Sequence, residues 1–342
     1  MIFGSWYKHN VTEDSQILSS RVRLARNISG YPFQRKLTKT DASDIVKKVS
    51  NAVSAANKSL HNHLELQELC HLSTQVFVEK HVASLRFLAN ELPKGIFSDD
   101  FHNTSIMVNE EDHIRIQTIE PGNDINWAYS HANKIDDLLE NQLEFAFDKE
   151  LGYLTACPSN VGTGLRASYM LHIPCLDKTD LLGKLAPFIQ KFGMTMRGIY
   201  GEGTIPAGSI YQLSNQTTLG KTEKRILSEL QIAADILIER ENQALDKILT
   251  TRKSFLQDKV YRAYGILSQC RKISAKEALA LLMDVRLGFF AKVLDAPMPE
   301  KPLYQIAMEV QPGHMHLVAD SADNLENLEI ARADYLRGIF TN

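Results

Sequence analysis

The sequence predicts an α+β fold: a largely antiparallel sheet flanked by helices, followed by a smaller helical C-terminal domain. Three observations carry this. Short β-prone runs and amphipathic stretches alternate without the regular βαβ rhythm of a doubly wound sheet. From Ser105 the text SIMVNEEDHIRIQTI holds two β-prone runs, MV and IRIQTI, around a polar NEEDH, which predicts a hairpin. Near residue 250 the text turns helical, dividing a domain of residues 1–250 from one of residues 251–342.

The elements follow in order. SSRVR at 19–23 is read as an extended strand, and residues 40–57 as a helix with Thr40 as N-cap, Asp41 and Asp44 in its first turn, and Ile45, Val49, Ala52, Val53 and Ala56 on one face. Residues 124–141 repeat Ile125, Tyr129, Ala132, Ile135 and Leu139 at helical spacing, and the β-leaning GYLTAC comes next. A helix near 178–192, a strand near 194–199, a glycine-bearing loop and a strand in SIYQLS precede a long amphipathic helix from about Thr222 to Thr250. YRAYGILSQC, KEALALLMDVRLGFFAKVL and LENLEIARADYLRGIF read as helices, interrupted by the Pro-rich DAPMPEKP.

Composition narrows the function classes. With 342 residues, 44% hydrophobic and 23% charged, the chain can bury substantial cores. A formal net charge of −3 gives no global basic field for nucleic acid, so an anion site must come from local arginines. Four cysteines without CxxC pairs, no apolar leader and no membrane-length apolar run predict a cytoplasmic protein with free thiols. The pairs His61/His63 and His314/His316 lack companions at metal-ligand spacing, so no metal site is expected.

Four constellations can carry chemistry. In SSRVRLARN, Arg21 and Arg23 share one face of a strand and offer two guanidinium forks to a phosphate, or else form a solvated surface. In NEEDHIRI, Glu110 and Glu111 are adjacent, so in extended geometry one of them faces a given cleft; Asp112, His113 and Arg115 follow. A carboxylate beside an anion-binding arginine suits the alignment of a cationic nucleophile against phosphate, and a solvated acidic turn is the alternative. In RGIYGEGTIPAGS, Gly198, Gly201, Gly203 and Gly208 with Arg197 and Glu202 read as a substrate-covering loop or a structural turn. In ACPSNVGTGLRAS, Cys157 is a nucleophile without a sequence-local base or a structural cysteine, with Ser159, Asn160 and Thr163 as donors and Arg166 beyond.

Together SSRVRLARN, NEEDHIRI, CPSNVGTGLRAS and RGIYGEG…YQLSNQ resemble, in order and spacing, the phosphagen (ATP:guanido) kinases, the family of creatine and arginine kinases. VEKH, NVGTGLRAS, SNQTTLGK, VYRAYGILSQCR and DVRLG resemble its McsB-type bacterial protein-arginine kinases. The resemblance implies ATP-dependent transfer of the γ-phosphate to arginine side chains of proteins. It implies nucleotide contacts from Ser19, Ser20, Arg21, Val22, Arg23, His81, Arg115, Arg166, Ala167, Ser168, Arg197, Gly198 and Gly201. Glu111 becomes the catalytic carboxylate, Glu202 a second one, and Cys157 a thiolate that orients the guanidinium. Gly162 and Gly164 would let the backbone approach the nucleotide. Mg²⁺ would be held mainly by ATP phosphates and water.

It further implies a homodimer, protein substrates with exposed arginines, a small zinc-binding activator of the McsA type and a ClpC unfoldase, with no nucleic acid or membrane partner. The SSRVR motif begins at residue 19, leaving no room for the N-terminal helical domain of small-guanidine kinases. Two departures are visible. GEGTI places Ile205 where the family usually has a second carboxylate, so either Glu202 and Glu111 suffice or activity is weakened. Near the C-terminus LEIARA stands for the phosphoarginine-sensing RDxxRA, with Leu328 and Glu329 substituted and Arg332 and Ala333 retained as a degenerate site. A free-arginine kinase and a non-catalytic arginine- or phosphoarginine-binding adaptor are the alternatives.

Overall fold

The computed structural model describes residues 6–8, 13–56, 60, 62–65, 71–89, 91–100, 103–179, 181–198, 207–319 and 324–341. It divides into two units: Met1–His9, Ser19–Tyr169 and Ser214–Gln231 form one, and Asn10–Leu18, Met170–Leu213 and Ile232–Asn342 the other. In chain order the elements are β1 (Ile17–Arg26), α1 (Lys39–Ala56), β2 (Asn62–Glu65), α2 (His71–Glu79), α3 (Leu85–Ala89), β3 (Gly95–Ser98), β4 (Thr104–Val108), β5 (Ile114–Pro121) and α4 (Ile125–Glu140). Then follow β6 (Phe147–Asp148), β7 (Gly152–Tyr153), β8 (Leu165–His172), α5 (Pro174–Lys178), α6 (Leu181–Lys191), β9 (Met194–Gly198), β10 (Ile210–Asn215) and α7 (Glu223–Thr251). The last are α8 (Lys253–Gln269), α9 (Ala275–Phe290), α10 (Leu303–Glu309), α11 (Pro312–Val318) and α12 (Leu325–Phe340).

The main sheet has eight strands in the order β2-β3-β4-β5-β1-β8-β10-β9, and the β2–β3, β3–β4, β4–β5 and β1–β5 pairs are antiparallel. This is the expected α+β architecture. The expected hairpin is β4–β5, closed by the NEEDH turn, with Val108 opposite Ile114. On β1, Val22 and Leu24 are buried while Arg21 and Arg23, pointing the other way, are half-buried. That alternation is what a strand with one packed face imposes.

Three boundaries differ from the sequence reading. The first helix starts at Lys39 with Thr38, not Thr40, at its cap: the Asp41 N–H donates to Thr38 Oγ1 (3.1 Å) and the Thr38 hydroxyl donates back to Asp41 Oδ2 (2.7 Å). The helix expected at 178–192 is two, α5 and α6, because Pro174 opens an earlier short turn. GYLTAC keeps strand geometry over Gly152–Tyr153 alone. In the second unit, α10 and α11 have seven residues each, too short for apolar periodicity to announce them.

Arg26 ends β1 in a dry setting of the first unit. Its Nη2 meets Asp136 Oδ2 of α4 at 2.5 Å, Nη1 donates to the Ala25 and Thr163 carbonyls, and the guanidinium lies 3.5 Å from the Tyr153 ring centre. Removing one member of such a buried pair typically costs about 3–5 kcal/mol. In the second unit Arg286 plays the corresponding part, reaching Glu13 (2.8 Å), the Ser15 carbonyl (2.5 Å) and His172 Nδ1 (3.0 Å). Burial, with Arg286 next in weight, pushes the His172 imidazole well down, so it sits neutral and accepts at Nδ1.

The NVGTG glycines serve close packing. Gly164 has φ +65°, and a Cβ there would meet Arg26 Nη1 at 2.5 Å and the Ala25 carbonyl at 2.6 Å; one on Gly162 would meet Thr218 and Leu219 backbone at 2.9 Å. Gly30 has φ +83° and nothing within 4 Å of its missing Cβ. Gly30→Ala is expected to cost about 1–2 kcal/mol from backbone conformation alone, and Gly164→Ala visibly more, because contact is added to the same strain. Urea midpoints of the two variants check this ordering.

Candidate active site

Three neighbouring strands of the first unit build a cationic face. Arg21 and Arg23 lie on β1, two residues apart; Arg115 of β5 stands opposite Ala25, diagonal to Arg23; Arg166 lies on β8, next to the Gly164 carbonyl that accepts from the Ala25 N–H (3.0 Å). The side-chain period of two puts them on one side. Burial, then the like charges of Arg21, Arg115 and Arg166, press the Arg23 guanidinium well below its ordinary value, and Glu110 opposes them. Arg23 Nε is buried without a hydrogen-bond partner among the described residues.

A small cavity of about 70 Å³ opens beside this face, lined by Arg23, Ala25, Glu110, Glu111, Asp112, Arg115, Asn160, Gly164 and Arg166. Its size suits a phosphate-sized anion and lies far below the roughly 300–1,000 Å³ that enclose a whole ligand. Four guanidinium groups crowded together repel one another, and an oxyanion relieves that repulsion.

The carboxylates come from the 109–113 turn. Asn109 adopts φ 63° and its Nδ2 donates to the Ala42 (3.0 Å) and Pro93 (2.8 Å) carbonyls, while the Glu110 N–H donates to the Asp112 carbonyl (3.1 Å). The turn is therefore not extended, and Glu110, Glu111 and Asp112 all reach the cavity. This corrects the expectation that one of Glu110 and Glu111 would face it.

The three acids differ in their partners. Glu110 accepts from Ser84 Oγ (2.6 Å) and from the Glu111 N–H (2.8 Å) and pairs with Arg115 at 2.9 Å. Burial would raise its carboxyl, but Arg115, Ser84 and that N–H outweigh burial and hold it below the usual range. Asp112 Oδ1 accepts from Asn27 Nδ2 (2.7 Å) and the Ala156 N–H (2.6 Å), tying the acidic turn to the cysteine loop; burial nevertheless pushes its carboxyl up. Glu111 Oε1 meets Arg86 Nη1 at 2.5 Å. His113 is buried with its Nδ1 accepting from the Ile28 N–H and its Nε2 against the Pro32 carbonyl, which fixes the turn rather than serving the cavity.

Cys157 is half-buried, with Sγ 3.0 Å from Ser159 Oγ; its loop reaches the cavity through Asn160. Cys157, Cys175 and Cys270 are not in disulfides, and Cys70 lies outside the described residues. Half-buried His81 has φ 58°, and burial followed by the Arg21 charge pushes its imidazole down to about 3, so it is neutral near pH 7. Ser19 and Ser20 are buried, and the Ser20 hydroxyl is spent on the Gly122 carbonyl (2.7 Å) and the Asp124 N–H (2.9 Å). Val22 points into the core; Ala167 and Ser168 are buried on β8, with the Ala167 N–H donating to Asn215 Oδ1 (2.8 Å).

Arg197 is exposed and Gly198 half-buried on β9 of the second unit. Gly201, Glu202 and Ile205 lie outside the described residues. On α12, Glu329 lies 3.7 Å from Lys272, Ala333 is buried, and buried Arg332 donates to the Val310 (2.7 Å) and Ile273 (3.0 Å) carbonyls. The residues that sequence reasoning missed are Asn27, Ser84 and Arg86. Asn27 closes the quoted SSRVRLARN stretch, whereas Ser84 and Arg86 come from an apolar-polar run with no spacing signal.

Residues 44–244 match the family model of the ATP:guanido phosphotransferase C-terminal catalytic domain, and the chain belongs to that family. It is an ATP-using phosphotransferase with an α+β catalytic fold. Residues 253–342 match the model of the protein-arginine kinase McsB C-terminal domain. The chain is 38% identical over 332 residues to the protein-arginine kinase of Halothermothrix orenii, covering 97% of this chain and 95% of that one. With the protein-arginine kinase of Bacillus subtilis it shares 38% identity over 337 residues, covering 98% and 92%. Among solved structures, lombricine kinase superposes with a TM-score of 0.60 at 23% identity over 72% of each chain, a likeness of fold. The duplicated taurocyamine kinase of Schistosoma mansoni, with bound transition-state-analogue components, gives 0.63 at 26% identity over 81% of this chain and 41% of that one. No helix among the described residues is long and apolar enough to cross a membrane.

Because the Glu110 carboxyl is held low, its contribution to stability is complete above the unfolded glutamate value of about 4.3 and is lost as pH falls through the lower folded value. Glu110→Gln should therefore destabilise the protein at pH 7, and its melting temperature should converge on the wild-type value as the pH drops below about 4.

Proposed function

We propose that the chain transfers the γ-phosphate of ATP to arginine side chains of proteins. The carrying observation is the joining of two opposite chemistries in the lining of one small cavity, Arg23, Arg115 and Arg166 together with Glu111. The arginines hold phosphate; Glu111 receives a cation. The named activity of the relatives in Halothermothrix orenii and Bacillus subtilis supports protein arginine as acceptor.

Guanidinium is not nucleophilic while protonated, since its pKa lies above about 12. Glu111 aligns the acceptor and accepts a proton as a guanidinium nitrogen attacks the γ-phosphorus and the bond to the bridging β,γ-oxygen breaks. The electron pair of that bond stays with ADP. Arg21, Arg23, Arg115 and Arg166 of the first unit bind the phosphates, where charged hydrogen bonds are each worth about 1.5–3 kcal/mol, and the family likeness assigns Arg197 to the nucleotide as well. By the same likeness Gly198, Gly201 and neutral His81 are assigned to the nucleotide, and the buried Ser19, Ser20, Val22, Ala167 and Ser168 to the strands that hold Arg21, Arg23 and Arg166 in place for it. Glu202 supplies a second carboxylate and Cys157 helps to orient the acceptor.

Mg²⁺ fits as an ion carried by ATP phosphates and water. The cavity carboxylates are committed, Glu110 to Arg115 and Ser84 and Asp112 to Asn27 and Ala156, and Mg²⁺ keeps several waters. We place the chain in the cytoplasm as a homodimer, with a catalytic domain of residues 1–250 and a domain of residues 251–342 for dimerisation and substrate binding. A McsA-type activator and a ClpC unfoldase are its proposed partners, and marking proteins for ATP-driven proteolysis its role. The degenerate segment Glu329, Arg332 and Ala333 is assigned to structure, a reading supported by the Arg332 hydrogen bonds to main-chain carbonyls.

Incubation with γ-labelled ATP, Mg²⁺ and an arginine-rich protein should yield acid-labile label on arginine; label on free arginine alone would overturn the reading. Glu111→Gln should lower kcat by about 10²–10⁴ with little change in the KM for ATP. Cys157→Ser should lower the rate without any trapped phosphocysteine.

A further inference from the structure

Arg86 is an arginine of the chain itself seated on the carboxylate assigned to the acceptor. From α3 it places Nη1 2.5 Å from Glu111 Oε1, and its side chain is 52% exposed against 28% for Glu111. We propose that Arg86 holds the acceptor guanidinium's place and that, once displaced, it selects acceptor arginines flanked by a carboxylate. The inference rests on the role given above to Glu111.

The argument is one of exchange. An acceptor guanidinium gripped as a fork needs both Glu111 oxygens, and Arg86 occupies Oε1, so an acceptor held in that way displaces Arg86. The pair is half-exposed, and such pairs are weak, so displacement is cheap and the contact works as a competitor rather than a lock. The displaced guanidinium remains beside the entering one, with Arg23, Arg115 and Arg166 lining the same cavity. Two adjacent guanidiniums repel unless a carboxylate comes with the acceptor. An Asp or Glu next to the target arginine supplies it, and the ion pairs are then swapped rather than lost. A lysine in that position adds a further like charge and is disfavoured.

Three peptides test this, each with one arginine flanked by Glu, Ala or Lys. Wild-type protein should favour the Glu-flanked peptide by about fivefold or more in kcat/KM, with the Lys-flanked peptide last. Arg86→Ala should lower the KM for the Ala-flanked peptide about two- to fivefold and flatten the ranking, leaving the KM for ATP unchanged; Arg86→Lys should keep the ranking. An unchanged ranking and acceptor KM in Arg86→Ala, with transfer intact, would overturn the proposal and leave the kinase reading standing. Peptide affinity measured by anisotropy with MgADP gives a readout independent of turnover. Affinities that follow the same Arg86-dependent ranking without transfer would uphold the exchange and sink the reaction, whereas affinities indifferent to Arg86 would sink the exchange.

Discussion

Like-charge crowding on three adjacent strands is the constraint around which the first unit is organised. Arg21 and Arg23 on β1, Arg115 on β5 and Arg166 on β8 cannot move apart, because the β1–β5 ladder runs unbroken from Ser19 opposite Pro121 to Arg26 opposite Ile114. Sheet register thus stores the repulsion in the backbone. A folded protein that keeps such a face does so at a cost in stability, and the natural relief is an anion bearing several charges.

The acidic turn answers this face. Glu110 offsets it locally through Arg115, and the Asn109 conformation with its two carbonyl contacts turns the chain so that three consecutive acids converge. Asp112 joins that turn to β1 through Asn27 and to the cysteine loop through the Ala156 N–H. The carboxylate left at the mouth, Glu111, is the least encumbered by main-chain ties, as befits a group that must exchange partners during a reaction.

Much of this was legible in the sequence, for reasons that differ by element. Strand period two sufficed to place Arg21 and Arg23 together, and NEEDH between β-prone runs sufficed for the β4–β5 hairpin. The convergence of Glu110 with Glu111 was not legible, because it depends on a positive φ at Asn109 that is set by carbonyls 67 and 16 residues away in sequence. Arg86 was invisible for the same reason: nothing local in LRFLA marks a partner 25 residues downstream. The glycines of NVGTG were expected to let the backbone approach the nucleotide; Gly162 abuts Thr218 and Leu219, and Gly164 abuts β1 while also lining the cavity. The C-terminal helices were read from periodicity where they exceed about four turns and missed at seven residues.

The central claim is that the arginine cluster is a strained anion site. Its most direct test is the melting temperature of wild-type protein and Arg23→Met with and without MgATP. The account predicts that Arg23→Met melts higher than wild type without nucleotide, since a half-buried, mutually repelled charge is removed. It also predicts that this variant loses most of the MgATP shift, which for wild type at a hundred times Kd corresponds to about 2.7 kcal/mol. A variant that melts lower without nucleotide and keeps the full MgATP shift would contradict it.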